Sequence, residues 1–197
     1  PLHHTLLNGA YDQSFKIYQQ ITCAAEILNF DNPGAQIDRL IESCYQQKRP
    51  VYLQFPQDLV THLIAAPQAK LNLITSTTAV QASKITKLIE QINLQLTTAK
   101  KVVVLVGELV ERYHLQNLVQ QFLQNSGAAY VVSWGAKGAV DESHSQFAGM
   151  YAGCFSAQEV QDYVENADCV LALGWLYCEI NSGTFSTKLA TNKLISL

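Results

Sequence analysis

The chain has 197 residues, 48% of them apolar and 15% charged, with a formal net charge of −3. Such a composition can bury a core and is not that of a disordered segment. The small charge, the lack of any Lys/Arg run beyond two residues and the lack of a long apolar stretch exclude a nucleic-acid footprint, a basic membrane-binding face and a membrane-spanning helix.

Punctuation divides the chain. All five prolines stand at or before Pro67, whereas eight of the ten glycines follow it. The first half opens on P-L-H-H-T (1–5). The turn D-N-P-G (31–34) then leads into a predicted helix. Ile37, Leu40, Ile41, Cys44 and Tyr45 recur on one face of it, and Pro50 stops it. V-Y-L-Q-F (51–55) reads as a strand closed by Pro56. The stretch I-A-A-P-Q-A-K-L-N-L-I-T-S-T-T (64–78) has no clean period and reads as a connector.

After the connector, helices alternate with apolar strands. Ile85, Leu88, Ile89, Ile92 and Leu96 mark a helix, and V-V-V-L-V (102–106) has the unbroken apolar run of a strand buried on both faces. Leu115, Leu118, Val119, Phe122 and Leu123 mark a second helix, followed by the strand A-Y-V-V-S (129–133). S-A-Q-E (156–159) has the form of a capping box, in which Ser156 would accept from the N–H three residues on and open a helix to about Asn166. C-V-L-A-L (169–173) and L-I-S (194–196) are further strands. The alternation predicts an α/β fold, a Rossmann-like doubly wound parallel sheet.

Five cysteines, Cys23, Cys44, Cys154, Cys169 and Cys178, are widely spaced without a C-x-x-C. Reduced thiols in a cytoplasmic protein are expected, with Cys44 and Cys169 on apolar faces. His62, His114 and His144 are scattered with no acidic or cysteine partner at ligand spacing, so no metal site is expected. Asp141 and Glu142 read as turn-capping carboxylates.

In an open parallel sheet, ligands sit beyond the carboxyl ends of the strands. Those ends are G-E-L-V-E-R (107–112), W-G-A-K-G (134–138) and G-W-L-Y-C-E-I-N-S-G-T (174–184). Their glycines permit close backbone approach to a ligand, but any tight strand-to-loop turn uses glycine in the same way. Neither a G-x-G-x-x-G nor a Walker A pattern is present. His3 and His4 are also open to two readings. They are exposed imidazoles, or a pair in which one protonated ring lowers the other's pKa, so that donor and acceptor coexist near neutral pH for proton delivery.

Several stretches together resemble an internal part of the thiamine-diphosphate-dependent 2-keto acid decarboxylases, the pyruvate and indolepyruvate decarboxylase branch. They are L-H-H-T-L (2–6), I-D-R-L-I (37–41), R-P-V-Y-L-Q-F-P-Q-D-L (49–59), G-A-K-G-A-V-D-E (135–142), Y-A-G (151–153), V-E-N-A-D-C-V-L-A-L-G (164–174) and N-S-G-T-F-S (181–186). They occur in the family's order and with its gaps, and the adjacent histidines select the decarboxylase branch.

The resemblance implies that residues 1–63 are the C-terminal part of a pyrimidine-binding α/β domain, 64–80 a linker and 81–197 a central Rossmann-like domain with its end truncated. It implies a parent enzyme that uses thiamine diphosphate and Mg2+ to turn a 2-keto acid into an aldehyde and CO2. The cofactor would be the electron sink, and His3 and His4 would position and protonate the intermediates. The parent would be a homodimer or homotetramer. The family's G-D-G … N diphosphate-magnesium motif is absent, so no cofactor-binding residue is assigned and the chain alone is expected to be inert. Some yeast-type relatives carry an activating cysteine in the loop matching G-E-L-V-E-R; here Leu109 and Val110 stand nearby, so that mode of activation is not expected. Two alternatives remain: an acetolactate synthase or benzoylformate decarboxylase type of enzyme, and a stand-alone nucleotide-binding module.

Overall fold

The structure, a computed structural model, describes residues 9–66, 70, 71, 73 and 82–197. The chain forms two compact units, Pro1–Ala79 and Val80–Leu197.

In the first unit, α1 (Gln13–Ile21) precedes β1 (Ala25–Ile27), α2 (Pro33–Gln47) and β2 (Tyr52–Gln54). β1 and β2 pair in parallel, Glu26 opposite Leu53, so β1-α2-β2 is one crossover unit. The D-N-P-G turn starts α2 as expected. The Asn32 side chain accepts from the Ala35 N–H at 3.2 Å, and Pro33 occupies the first turn, where its missing N–H costs nothing. Lys48, at φ 53°, ends the helix in the left-handed region. Gln36 donates to the Ile27 carbonyl at 3.0 Å and Arg39 pairs with Glu26, which tie α2 to β1. Tyr18 of α1 stacks on Tyr52 of β2 with ring centroids 4.3 Å apart.

The predicted apolar face of α2 is only partly covered. Leu40 is buried, whereas Ile41, Tyr45 and Cys44 are exposed. The expectation that Cys44 lies in an apolar environment is therefore corrected. Among the described residues, two three-residue strands offer too little surface to cover the whole stripe. The sequence reading also missed α1, which has no side-chain cap to announce it, and the short β1.

The second unit contains α3 (Ala82–Thr98), β3 (Val102–Val106), α4 (Leu109–Arg112), α5 (Gln116–Ser126), β4 (Ala129–Val132), β5 (Phe147–Met150), α6 (Gln158–Glu165), β6 (Cys169–Leu173) and β7 (Leu194–Ser196). The strands form one parallel sheet in the order β5-β4-β3-β6-β7. The chain runs outward from β3 to β5, then crosses back to start β6 on the other side of β3. The predicted doubly wound α/β sheet is thus present.

The V-V-V-L-V run is explained by this central position. Val104 and Val106 pack with Val119 and Leu123 of α5 on one face. Val103 and Leu105 pack with Val164 in the last turn of α6 on the other. Both faces are covered, so no polar alternation is possible. The buried Cys169 fits its expected apolar place, and burial raises its thiol pKa.

One local expectation fails. S-A-Q-E is not a capping box: the N-cap of α6 is Ala157, without a side-chain cap. The Ser156 hydroxyl instead accepts from the Ala152 N–H at 2.8 Å and donates to the Gly153 carbonyl at 2.8 Å. The preceding turn has captured the hydroxyl that the helix would use. Nor does the sequence pattern announce β5 (Phe147–Met150). It has Gly149 in its interior at φ 128°, next to a register shift against β4, so its pattern is not that of a regular strand. A Cβ there would meet a Val160 methyl carbon at 2.8 Å, so the glycine lets α6 approach the strand.

Candidate functional site: the carboxyl-end crevice

The strand order reverses between β3 and β6, and the segments leaving these strands meet there. Gly107 follows β3 and donates to the Leu173 carbonyl at 2.8 Å. Leu109 donates to the Gly174 carbonyl at 3.0 Å. A Cβ at Gly107 would fall into the backbone of Gly174 and Trp175. Gly174, at φ 64°, turns the chain immediately after β6. At these two positions the glycines serve backbone contact.

Glu108 stands beside this crossing. Its Oε1 accepts from Asn181 Nδ2 at 2.7 Å and its Oε2 from the Ser133 hydroxyl at 3.1 Å. Ser133 and Asn181 are buried, while Glu108 is half-buried. Asn181 also donates to the Leu176 carbonyl at 2.9 Å. One carboxylate therefore joins the ends of β3 and β4 to the long segment after β6. Gly135 makes room for it, since a Cβ there would lie 3.2 Å from Glu108 Cβ. The cleft above has a volume of about 740 Å³ and is lined by Glu108, Trp134, Phe155, Ile180, Asn181 and Thr184, among others.

The segment after β6 is anchored twice more. Ser186 Oγ accepts from the Cys154 N–H at 2.7 Å. Tyr151 hydroxyl donates to Glu165 at 3.1 Å and shares a hydrogen bond with Thr187. Burial raises the Tyr151 phenol well above its ordinary range, with Glu165 adding to the effect and the Thr187 bond opposing it.

Asp141 and Glu142 are the capping groups the sequence suggested. Asp141 accepts from the Ser143 hydroxyl at 2.6 Å and its N–H at 2.9 Å, which lower its pKa. Glu142 accepts from Lys137 at 2.7 Å and from the Gly138 N–H at 2.6 Å. The lysine bond leads in lowering its pKa, against a smaller effect of burial. His62 packs edge-on to Phe30, and His144 accepts from the Gln146 N–H. No group of three metal-ligating side chains occurs among the described residues.

His3 and His4 lie outside the described residues. The sequence reading found the three strand-end segments but not the residues Glu108, Ser133 and Asn181 within them. The one signal available was their place next to strand-end glycines.

Strand order, switch point and cleft define an α/β domain of the Rossmann-like class. The family is equally definite: residues 89–197 match the thiamine pyrophosphate enzyme central domain, and the chain belongs to the thiamine pyrophosphate enzymes. Among curated relatives, it is 32% identical to the pyruvate decarboxylase of Hanseniaspora uvarum over 98% of this chain and 35% of that protein. It is 30% identical to pyruvate decarboxylase isozyme 2 of Saccharomyces cerevisiae, again over 98% of this chain and 35% of the relative. Against the pyruvate decarboxylase of Aspergillus terreus the identity is 31% over 95% of the chain and 33% of the relative. The chain spans about a third of the length of these proteins.

The crevice does not suit the family's cofactor. A magnesium diphosphate needs several oxygen ligands and free N–H or cationic donors. Here the Gly107 and Leu109 N–H groups are already bonded, and the ionisable groups lining the cleft include the carboxylates Glu108 and Glu179 but no lysine or arginine. Nor is any helix among the described residues long and apolar enough to cross a membrane.

Proposed function

We propose that this chain is part of a thiamine-diphosphate- and magnesium-dependent 2-keto acid decarboxylase of the pyruvate or indolepyruvate class. The observation that carries the reading is the match to pyruvate decarboxylases along 98% of the chain, well beyond the central domain alone. The adjacent imidazoles His3 and His4 support it, because imidazole is the side chain suited to give and take protons near neutral pH.

Within this reading, residues 1–63 belong to a pyrimidine-binding domain, 64–80 link it to the rest and 81–197 form the central domain. The cofactor supplies the electron sink for loss of CO2. Residues outside this chain hold its diphosphate and the metal, since the family's G-D-G … N motif is absent from the chain. His3 and His4 hold and deliver protons at the reacting keto acid. The central domain serves as a scaffold whose sheet positions the carboxyl-end loops. The parent is a cytoplasmic homodimer or homotetramer; five free cysteines are in keeping with a reducing compartment.

The test is CO2 release by the full-length protein from pyruvate, indolepyruvate and phenylpyruvate, with and without thiamine diphosphate and Mg2+. Cofactor-dependent release is expected. No release from any of the three overturns the reading and favours a synthase or carboligase.

A further inference from the structure

The cleft at the strand switch point has a chemistry that the decarboxylase reading does not use. Its volume of about 740 Å³ is that of a small-molecule site, and its position is where open parallel sheets take ligands. Three observations define what it would accept.

The first is the state of Glu108. Its carboxylate is half-buried and held in place by two neutral donors, Asn181 and Ser133. Among the described residues it takes part in no ion pair. An ionised carboxylate has about four acceptor positions, so two neutral hydrogen bonds leave it both room and charge for a further partner. A partly desolvated charge gains most from a cation.

The second is what the cleft withholds from anions. The N–H groups of Gly107 and Leu109 are consumed by the carbonyls of Leu173 and Gly174. Lys137, close in sequence to Trp134 and Gly135, is engaged by Glu142 at 2.7 Å. Glu179 adds a second negative charge to the lining. A nucleotide phosphate would meet two carboxylates and no lysine or arginine in the lining.

The third is the wall. The largely exposed rings of Trp134 and Phe155 line the same cleft as Glu108. Aromatic faces attract ammonium groups and also bury an apolar body.

We propose that this cleft binds a free small organic cation, an ammonium group on an aromatic or apolar body. The ammonium would lie on Glu108 and the body against Trp134 and Phe155. The inference does not depend on the decarboxylase reading.

Isothermal titration of the full-length protein with phenethylamine tests it, with 2-phenylethanol and phenylacetate as neutral and anionic counterparts. Saturable binding of phenethylamine is expected, at least about tenfold tighter than either counterpart, the scale of one favourable charge contact. Glu108→Gln should weaken it by about tenfold or more. Cys178→Lys, which adds a cation at an exposed position of the lining without touching the Glu108 hydrogen bonds, should abolish it while leaving the circular-dichroism melt unchanged. Absence of binding, equal affinity for all three compounds, tighter binding of ADP, or phenethylamine binding that survives Cys178→Lys overturns the proposal. CO2 release tests the decarboxylase reading separately, so either can fail alone.

Discussion

Asn181 donates its side-chain amide to Glu108 at 2.7 Å across 73 residues of chain, and this bond joins the segment after β6 to the end of β3. Both ends of the Asn181 amide contact are buried or half-buried. Asn181→Leu would leave Glu108 short of a donor and the Leu176 carbonyl unpaired. A loss of about 0.5–1.5 kcal/mol is expected, the net scale of a part-buried hydrogen bond. Urea unfolding of wild type and variant measures it, and no shift in midpoint would show that the bond is not a structural tie.

Gly107 is a point where no side chain fits. Gly107→Ala would place a methyl group in the backbone of Gly174 and Trp175. The variant is expected to lose more than about 2 kcal/mol, because backbone atoms cannot move aside as side chains can. Gly138→Ala is the control. Its Cβ would meet nothing within 4 Å, although its φ of 83° disfavours alanine, so its loss should be smaller. Equal melting temperatures for Gly107→Ala and wild type would contradict the close crossing.

Tyr151 should be among the last tyrosines to ionise. Burial keeps its phenol neutral well above the ordinary value of about 10. A raised folded-state pKa gives stability that is fully present below the unfolded value. That stability is lost as pH rises from there through the folded value, because the unfolded chain releases the proton first. Melts between pH 9 and 12 (a range set by that reference of about 10) should therefore fall more steeply for wild type than for Tyr151→Phe. Parallel falls would show that Tyr151 is not the protected group.

Glu142 predicts the opposite end of the pH scale. Lys137 and the Gly138 N–H favour its ionised form, so its folded pKa lies below 4.5. The stability it adds is present above that value and lost as pH falls through the lowered one. Glu142→Gln should cost about 0.5–1 kcal/mol at pH 7, a partly exposed ion pair being screened by solvent. The difference from wild type should vanish in acid below the carboxylate range. A gap that persists unchanged there would assign the effect to packing.

For the proposed chemistry, His3→Ala and His4→Ala in the full-length protein should each lower decarboxylation by about 10²-fold or more. Single-turnover CO2 release is the readout. Near-wild-type rates in both would make the pair ordinary surface histidines.

The amino-acid pattern alone determined the layered architecture of the second unit. V-V-V-L-V, A-Y-V-V and C-V-L-A-L are apolar without interruption because both faces of a central parallel strand are covered, and that requirement is local enough to read. The start of α2 was legible for the same kind of reason: Asn32 and Pro33 act on backbone groups within three residues. Strand order, the interior glycine of β5 and the fate of Ser156 were decided by the tertiary structure. Ser156 had two nearby backbone partners to choose from, and the turn at Ala152–Gly153 took it. The crevice is the clearest case. Glu108, Ser133 and Asn181 sit in three separate segments and carry no pattern of their own. The pairing of β3 with β4 brings Ser133 to Glu108, and the reversal that seats β6 on the other side of β3 brings Asn181 there; partners 25 and 73 residues apart leave no period or spacing in the chain.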